Sequence, residues 1–70
     1  MIEKLRTRLR ELRKTAGETQ YQVAVAIGTA ERNYQRYERG ANMPNIEMAW
    51  KLADHFGVSI DYLVGRSDER

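Results

Sequence analysis

The positions of the five glycines limit the fold of this chain more than any other sequence feature. They stand at Gly17, Gly28, Gly40, Gly57 and Gly65. Each follows a stretch in which apolar residues recur three and four positions apart. A helix commonly ends just before a residue in the left-handed conformation, which glycine adopts without steric cost. No segment alternates between apolar and polar residues as a half-buried strand would. The spacing therefore predicts an all-α fold of five short helices.

Side chains that can cap a helix mark where several of these helices begin. Thr19 and Gln22 have the spacing of a capping box, in which each side chain bonds to the backbone of the other residue. Asn45 and Ser59 are typical N-cap residues at the starts of the fourth and fifth helices. The predicted helices span about residues 3–16, 19–27, 30–39 and 45–56, with the fifth starting at residue 59.

Each predicted helix has an apolar face, and together these faces are expected to form one core. The two tyrosines of the third helix lie on this face, so we expect both to be buried. The residues expected to face inward are Leu5, Leu9, Leu12, Ala16, Val23, Ala24, Ile27, Tyr34, Tyr37, Ile46, Ala49, Leu52, Ala53 and Phe56.

The composition excludes several classes of protein. The chain has no cysteine and one histidine, so a disulfide framework or a cysteine–histidine metal cluster is not expected. It has no apolar run of membrane-spanning length and no phosphate-loop or nucleophile motif, so neither a membrane protein nor an enzyme is expected. We expect a cytoplasmic domain over residues 1–65 without cofactor, metal or small-molecule ligand, and a frayed polar tail or linker start at 66–70.

Positive charge is concentrated in the first two thirds of the chain. Residues 1–44 contain nine Lys and Arg against five Asp and Glu, a net charge of +4. Residues 45–70 contain three against five, a net charge of −2. One face could therefore attract a polyanion, although the same pattern is also compatible with ordinary solvated helix surfaces.

The segment from Gln20 to Arg39 predicts two helices joined by a tight turn. A turn of three or four residues that contains glycine, here Gly28, sets two helices at about 90–120°. Ala24 provides a small side chain where the third helix crosses the second. The third helix can then project from the domain, as in proteins that place a helix in the major groove of DNA.

These residues resemble the lambda repressor and Cro (XRE-type) helix-turn-helix family. Key motif positions of that family are matched by Gln20, Ala24, Gly28, Tyr34 and Tyr37. Further similar segments lie at 19–20, 37–40, 44–45, 51–53 and 56–63, so the resemblance covers about residues 5–65. It implies a compact, five-helix, lambda-repressor-like DNA-binding domain with its motif at 20–39. It also implies a prokaryotic or phage-encoded regulator of transcription, most often a repressor, bound to a double-stranded DNA operator.

The resemblance assigns roles to individual positions. Base edges would be contacted by Glu31, Arg32 and Arg36. The DNA backbone would be contacted by Thr19, Gln20, Asn33, Arg39 and Asn42. An internal salt bridge would join Arg13 and Glu38. Chemistry agrees with two of these roles, because arginine can bond to guanine through two hydrogen bonds and a helix N-terminus attracts phosphate.

The chain departs from the family pattern at Tyr21 and Val25, which replace charged residues usual in the second helix, and at the start of the third helix. Ala30 stands where relatives often have a Ser or Thr N-cap, so Thr29 is an alternative cap for the third helix. Glu31 brings a carboxylate to the groove, where it could accept a hydrogen bond from cytosine or repel phosphate.

Exposed apolar residues leave room for an alternative function. Tyr21 and Val25 lie on one outward face of the second helix and, with Trp50, could serve a protein-interaction module of the same fold, such as an antitoxin or accessory regulator. Relatives also usually bind DNA as dimers through the fifth helix and the loop before it. We therefore expect a weak homodimer through a surface that comprises Trp50, Val58, Ile60, Tyr62 and Val64.

Overall fold

The computed structural model describes all 70 residues and contains five α-helices and no strand. The helices are α1 (Ile2–Thr15), α2 (Gln20–Ile27), α3 (Glu31–Arg39), α4 (Ile46–Phe56) and α5 (Ile60–Leu63). All five glycines have the positive φ that their positions predicted, and Gly28 and Gly40 cap the C-termini of α2 and α3. The predicted all-α fold of five helices is confirmed. None of the helices combines the length and the apolar character needed to cross a membrane.

Three of the predicted N-caps are present. Thr19 Oγ1 accepts a hydrogen bond from the Gln22 N–H, and Gln22 Oε1 accepts one from the Thr19 N–H, which completes the capping box. Asn45 and Ser59 cap α4 and α5 through their side chains.

The alternative cap for α3 is wrong. Ala30 is the N-cap of α3, without a side-chain hydrogen bond, and the helix begins at Glu31. The Thr29 side chain is instead turned toward Asn33, whose Nδ2 group donates a hydrogen bond to the hydroxyl at 2.8 Å.

One core joins all five helices. Its buried apolar members are Leu5, Leu9, Leu12, Val23, Ala24, Ile27, Tyr34, Tyr37, Leu52, Ala53 and Leu63, and Ala49 is buried beside them. α1 packs against α3 and α5, α2 packs against α3 and α4, and α4 packs against α5. The whole domain measures 27 × 23 × 19 Å, so the expected compact five-helix architecture is confirmed.

Two residues expected to face the core are exposed. Ala16 lies beyond the last turn of α1 as its C-cap, where the helix no longer directs it inward. Ile46 is the first residue of α4 and is 73% exposed, whereas the buried residues of α4, Ala49, Leu52 and Ala53, all lie in its later turns. Pro44, in the preceding loop, is buried instead.

Residues 66–70 are attached to the helices rather than frayed. The Arg8 guanidinium donates hydrogen bonds to the carbonyls of Tyr62 and Ser67 and to the carboxylate of Asp68. The Ser59 N–H donates to the Arg70 carbonyl at 2.9 Å. The bonds of Arg8 connect residues more than fifty positions apart in the chain, so no local sequence pattern predicts them.

Candidate nucleic-acid interface

α2 and α3 form a helix-turn-helix around Gly28. The left-handed conformation of Gly28 (φ 77°) ends α2, and the Thr29 N–H donates to the Ala24 carbonyl at 2.9 Å. Ala24 is almost fully buried, as expected of a small residue where two helices pack closely. Only two residues, Thr29 and Ala30, separate Gly28 from the first residue of α3. This arrangement fixes the direction of α3 relative to α2.

α3 has a buried face and an arginine face. Tyr34, Tyr37 and Glu38 are buried. Arg32, Arg36 and Arg39, which we call the arginine face, are exposed and follow one another at a spacing of four and three residues on the opposite side of the helix. None of these three side chains makes a hydrogen bond or an ion pair within the chain. Three uncompensated positive charges therefore point outward from one stripe of α3.

Other basic residues of the first 44 positions are mostly neutralised. Lys4, Arg6, Arg8 and Arg13 each have a carboxylate partner within 4.0 Å. Outside α3, only Arg10 and Lys14 are exposed without a partner in this part of the chain. The free positive charge is thus concentrated on the arginine face and on the outer side of α1.

Buried Glu38 connects α1 to the two helices of the motif, α2 and α3. Its carboxylate accepts hydrogen bonds from Arg13 Nε at 2.6 Å, Arg13 Nη2 at 3.0 Å and Gln20 Nε2 at 3.2 Å. Burial by itself would raise the pKa of Glu38, but the hydrogen bonds from Arg13, the nearby Tyr34 hydroxyl and the hydrogen bond from Gln20 together outweigh it and hold the pKa below its usual value. The charged carboxylate thereby ties the C-terminal turn of α3 to α1 and to the start of α2.

The two core tyrosines differ in how their hydroxyls are satisfied. Their rings meet edge to face, with centroids 6.3 Å apart. The Tyr37 hydroxyl accepts a hydrogen bond from Asn33 Nδ2 at 3.1 Å. The Tyr34 hydroxyl is buried without any hydrogen-bond partner. Burial, together with the neighbouring Glu38 carboxylate, raises the pKa of Tyr34 above its usual value.

The residues assigned to the DNA backbone lie at the two ends of the motif. At the start of α2, Thr19 caps the helix and the Gln20 side chain bonds to Glu38, while the backbone N–H groups of Gln20 and Tyr21 have no acceptor within the chain. At the other end, Arg39 and Asn42 are exposed on either side of Gly40.

Asn33 is placed differently from the other predicted backbone contacts. It is half-buried, and its Nδ2 group donates to both Thr29 and Tyr37. Only its Oδ1 acceptor remains free. In this arrangement Asn33 has no donor left for a phosphate oxygen, which can only accept hydrogen bonds.

The three residues predicted to contact bases, Glu31, Arg32 and Arg36, are all exposed on α3, and Glu31 is its first residue.

Sequence reasoning missed the contact between Gln20 and Glu38, which depends on how α2 packs on α3. It also gives no sign of a contact at His55, whose Nε2 lies 2.8 Å from a Glu18 carboxylate oxygen and joins α4 to the turn before α2. No three His, Asp or Glu side chains lie close enough together to hold a metal ion.

Exposed apolar side chains lie on α2 and α4. Tyr21 and Val25 are about three-fifths exposed on α2. On α4, Ile46 and Trp50 are exposed, and a shallow groove beside them is lined by Trp50, Ala53, Asp54, Val58 and Ile60. The side chains proposed for a dimer surface on α5 and before it are half-buried, and Val58, Ile60 and Tyr62 pack against the core. The exposed apolar area is therefore larger on α4 than on α5.

Comparison with known proteins places this geometry in a family. A helix-turn-helix family model matches residues 9–63, most of the chain. The chain is 41% identical over 63 residues to the cryptic phage CTXphi transcriptional repressor RstR of Vibrio cholerae, covering 90% of this chain and 56% of that protein. It is 36% identical over 61 residues to the HTH-type transcriptional regulator ImmR of Bacillus subtilis, covering 87% and 48%.

A third relative has nearly the same length as this chain. An uncharacterized HTH-type transcriptional regulator of Archaeoglobus fulgidus is 34% identical over 65 residues, which are 93% of both chains. By contrast, the chain spans about half the length of the V. cholerae and B. subtilis relatives. No solved structure matches it. The matched residues include α2, the turn at Gly28 and α3, and the chain belongs to the lambda repressor and Cro (XRE-type) helix-turn-helix family.

Proposed function

We propose that this DNA-binding regulator recognises a specific double-stranded operator by inserting α3 into the major groove, and that it represses transcription there. The observation that carries the proposal is the arginine face, where Arg32, Arg36 and Arg39 have no partner within the chain. Unpaired arginines on a helix that projects from the domain are suited to guanine bases and phosphates. The repressor role is supported by the similarity to the V. cholerae relative, which is a transcriptional repressor.

Base recognition in this proposal belongs to the outer surface of α3. Arg32 and Arg36 lie one helical turn apart, so both can reach the groove floor and each can bond to O6 and N7 of a guanine. Glu31, at the start of α3, can accept a hydrogen bond from the amino group of a cytosine.

Backbone contacts lie at both ends of the motif. The free N–H groups at the start of α2, with Thr19 and Gln20, form a phosphate site of the kind found at helix N-termini. Arg39 and Asn42 contact the backbone beyond the end of α3. Asn33 joins them only if its amide releases Thr29 or Tyr37, because a phosphate needs a donor.

The proposal implies a cytoplasmic, prokaryotic or phage-encoded protein that binds a two-part operator as a weak homodimer. The dimer contact uses Trp50 and Ile46 of α4 with the partly covered Val58 and Ile60. Two recognition helices related by a two-fold axis would then read half-sites about 34 Å apart, one turn of DNA. Residues 1–65 form the DNA-binding unit.

Selection of binding sites from a pool of random duplexes tests this proposal. We expect enrichment of one short sequence that contains guanines, and a palindromic repeat of it if the protein binds as a dimer. The selected site should bind much more tightly than a scrambled duplex at the same salt concentration. Failure to enrich any sequence would contradict specific recognition.

A protein-interaction module of the same fold is the second candidate. Tyr21 and Val25 favour it, because they expose apolar area on a helix that faces away from the core. A gel shift at two salt concentrations separates the candidates, because binding through phosphates weakens steeply as salt rises. Equal, weak retardation at both concentrations would favour the protein-interaction module.

A further inference from the structure

The side chain of Arg6 in α1 lies across the end of α3. A Cβ atom at Gly40, the C-cap of α3, would be 2.8 Å from Cδ of Arg6 and 3.5 Å from its Nε. Gly40 directly follows Arg39 and stands four residues after Arg36. The Arg6 side chain therefore passes close to the C-cap of α3, the residue that directly follows Arg39 of the arginine face.

The partner of Arg6 is unusually easy to replace. Arg6 Nε and Nη2 donate to the two carboxylate oxygens of Glu3 at 3.2 and 2.8 Å, and the Glu3 side chain is 75% exposed. Arg13 is held by a buried carboxylate, and Arg8 is held partly by backbone carbonyls. Exposed pairs between neighbouring turns of one helix are weak and screened by salt. Among the three paired arginines of α1, only Arg6 has a solvent-exposed carboxylate as its sole partner.

We infer that Arg6 is a further phosphate-binding residue, held by Glu3 in the free protein and transferred to the DNA backbone when α3 enters the groove. The inference rests on the proposed function. A phosphate presents the same two-oxygen acceptor as a carboxylate, so the guanidinium can exchange one for the other in the same fork geometry. Glu3 then acts as an internal competitor of DNA, because every binding event must first break its bonds to Arg6.

Two single substitutions should have opposite effects. Arg6→Gln removes the phosphate contact, so affinity for the operator and for random DNA should fall by the same factor, and the salt slope should decrease in magnitude by about 0.9. Glu3→Gln removes the competitor, so affinity should rise about two- to fivefold, the range expected for one exposed ion pair. Arg6→Lys retains the charge and should keep most of the salt slope.

Matched controls for the change in net charge lie on the same helix. The stem of Lys4 lies across Gly65, where a Cβ atom would be 2.7 Å from Lys4 Cδ, so Lys4 contacts a glycine as Arg6 does but near the C-terminal segment. Lys4→Gln should leave the salt slope unchanged. Glu11 is exposed on α1 without an ion-pair partner, so Glu11→Gln should raise affinity less than Glu3→Gln does.

The double variant Glu3→Gln/Arg6→Gln decides between competition and simple repulsion. If Glu3 acts by holding Arg6, the substitution of Glu3 has little effect once Arg6 is absent. An equal gain from Glu3→Gln in both backgrounds, or an Arg6→Gln variant with the salt slope of Lys4→Gln, would overturn the inference while the wild-type protein still binds DNA. A wild-type protein that binds no DNA would instead overturn the proposed function. Thermal melts of every variant show whether folding is intact.

Discussion

Arg13 and Glu38 form a two-point ion pair, in which Nε and Nη2 of the arginine donate to the two carboxylate oxygens at 2.6 and 3.0 Å. Glu38 is 2% exposed, and Arg13 is also largely covered. The pair joins α1 to the last turn of α3, whose outer side carries the arginine face. The position of that face therefore depends on a charge buried behind it.

Removal of one partner of this pair should destabilise the fold. We expect Glu38→Ala to lower the free energy of unfolding by about 3–5 kcal/mol, because it leaves the largely covered Arg13 charge without a counter-charge, with only the Glu18 carbonyl as a hydrogen-bond acceptor. Arg13→Met/Glu38→Leu should cost less than the sum of the single substitutions. Urea unfolding measures all three, with Glu47→Ala, which removes an exposed pair with Lys51, as the control. Additive effects would mean that the two residues do not interact.

The same pair predicts how stability depends on pH. The pKa of Glu38 is held below the value of 4.5 that the unfolded chain approaches, so the carboxylate contributes its full stability above about pH 4.5. That contribution is lost as pH falls through the lower pKa of the folded state. On acidification, the unfolding free energy of the wild type should therefore fall more than that of Arg13→Met/Glu38→Leu, which has no carboxylate at this position. A difference that is constant from pH 7 to pH 3 would contradict the role of Glu38.

The two tyrosines of α3 should respond differently to loss of their hydroxyls. Tyr34→Phe removes a buried polar group without a partner, so the free energy of unfolding should be unchanged or higher by up to about 1 kcal/mol. Tyr37→Phe removes the acceptor of Asn33 and should lower it by about 0.5–1.5 kcal/mol. Thermal or urea unfolding of the two variants, compared side by side, provides the measurement. A larger loss for Tyr34→Phe would reveal a bond to its hydroxyl.

Substitutions on the arginine face should separate base-specific contacts from contacts to the DNA backbone. Arg36→Ala should cost about 1–3 kcal/mol on the selected site and relax the preference at one base pair. Arg39→Ala should weaken binding to all sequences alike and reduce the salt slope by about one contact. Glu31→Ala is the complication, because it removes both a possible cytosine contact and a repulsion from phosphate. Competition with single-base operator variants provides the measurement. An equal loss of affinity for all variants in Arg32→Ala and Arg36→Ala would mean that these arginines contact the DNA backbone and not specific bases.

Self-association should depend on α4. Trp50→Gln removes the largest exposed apolar side chain beside the groove, so it should weaken dimer formation and cooperative binding to two half-sites while leaving binding to one half-site intact. Sedimentation velocity at rising protein concentration, with and without DNA, measures both. Tyr21→Gln provides a control that removes exposed aromatic area from α2. A wild-type protein that stays monomeric on a two-half-site operator would contradict the proposed dimer.

Local features of the fold were predictable because their causes lie within a few residues. The capping box of Thr19 and Gln22, the caps at Asn45 and Ser59 and the left-handed glycines all depend on neighbours in the chain. Ile46 was misplaced because helical periodicity shows which side of a helix is apolar but not how far the neighbouring helices cover it. The attachment of residues 66–70 was missed because its main donor, Arg8, lies at the other end of the sequence.

The candidate site also combines features that the sequence predicts with features that depend on packing between helices. The spacing of Arg32, Arg36 and Arg39 puts them on one face of any helix, so their common direction follows from the sequence. What the sequence does not contain is the set of bonds made inside the protein by residues that could also contact DNA. Gln20 bonds to Glu38 and Asn33 bonds to Tyr37, and both contacts arise from packing and side-chain orientation that periodicity does not specify.

The single tryptophan provides an optical reporter that needs no label. Trp50 is 62% exposed on α4, which packs against α2 and α5, whereas the arginine face is on the outer side of α3. Its emission should therefore resemble that of an indole in water and should be quenched by iodide. A duplex with one half-site should leave the spectrum nearly unchanged. Assembly of two copies should shift the emission to the blue and protect it from quenching, so one fluorescence titration can follow assembly separately from groove binding.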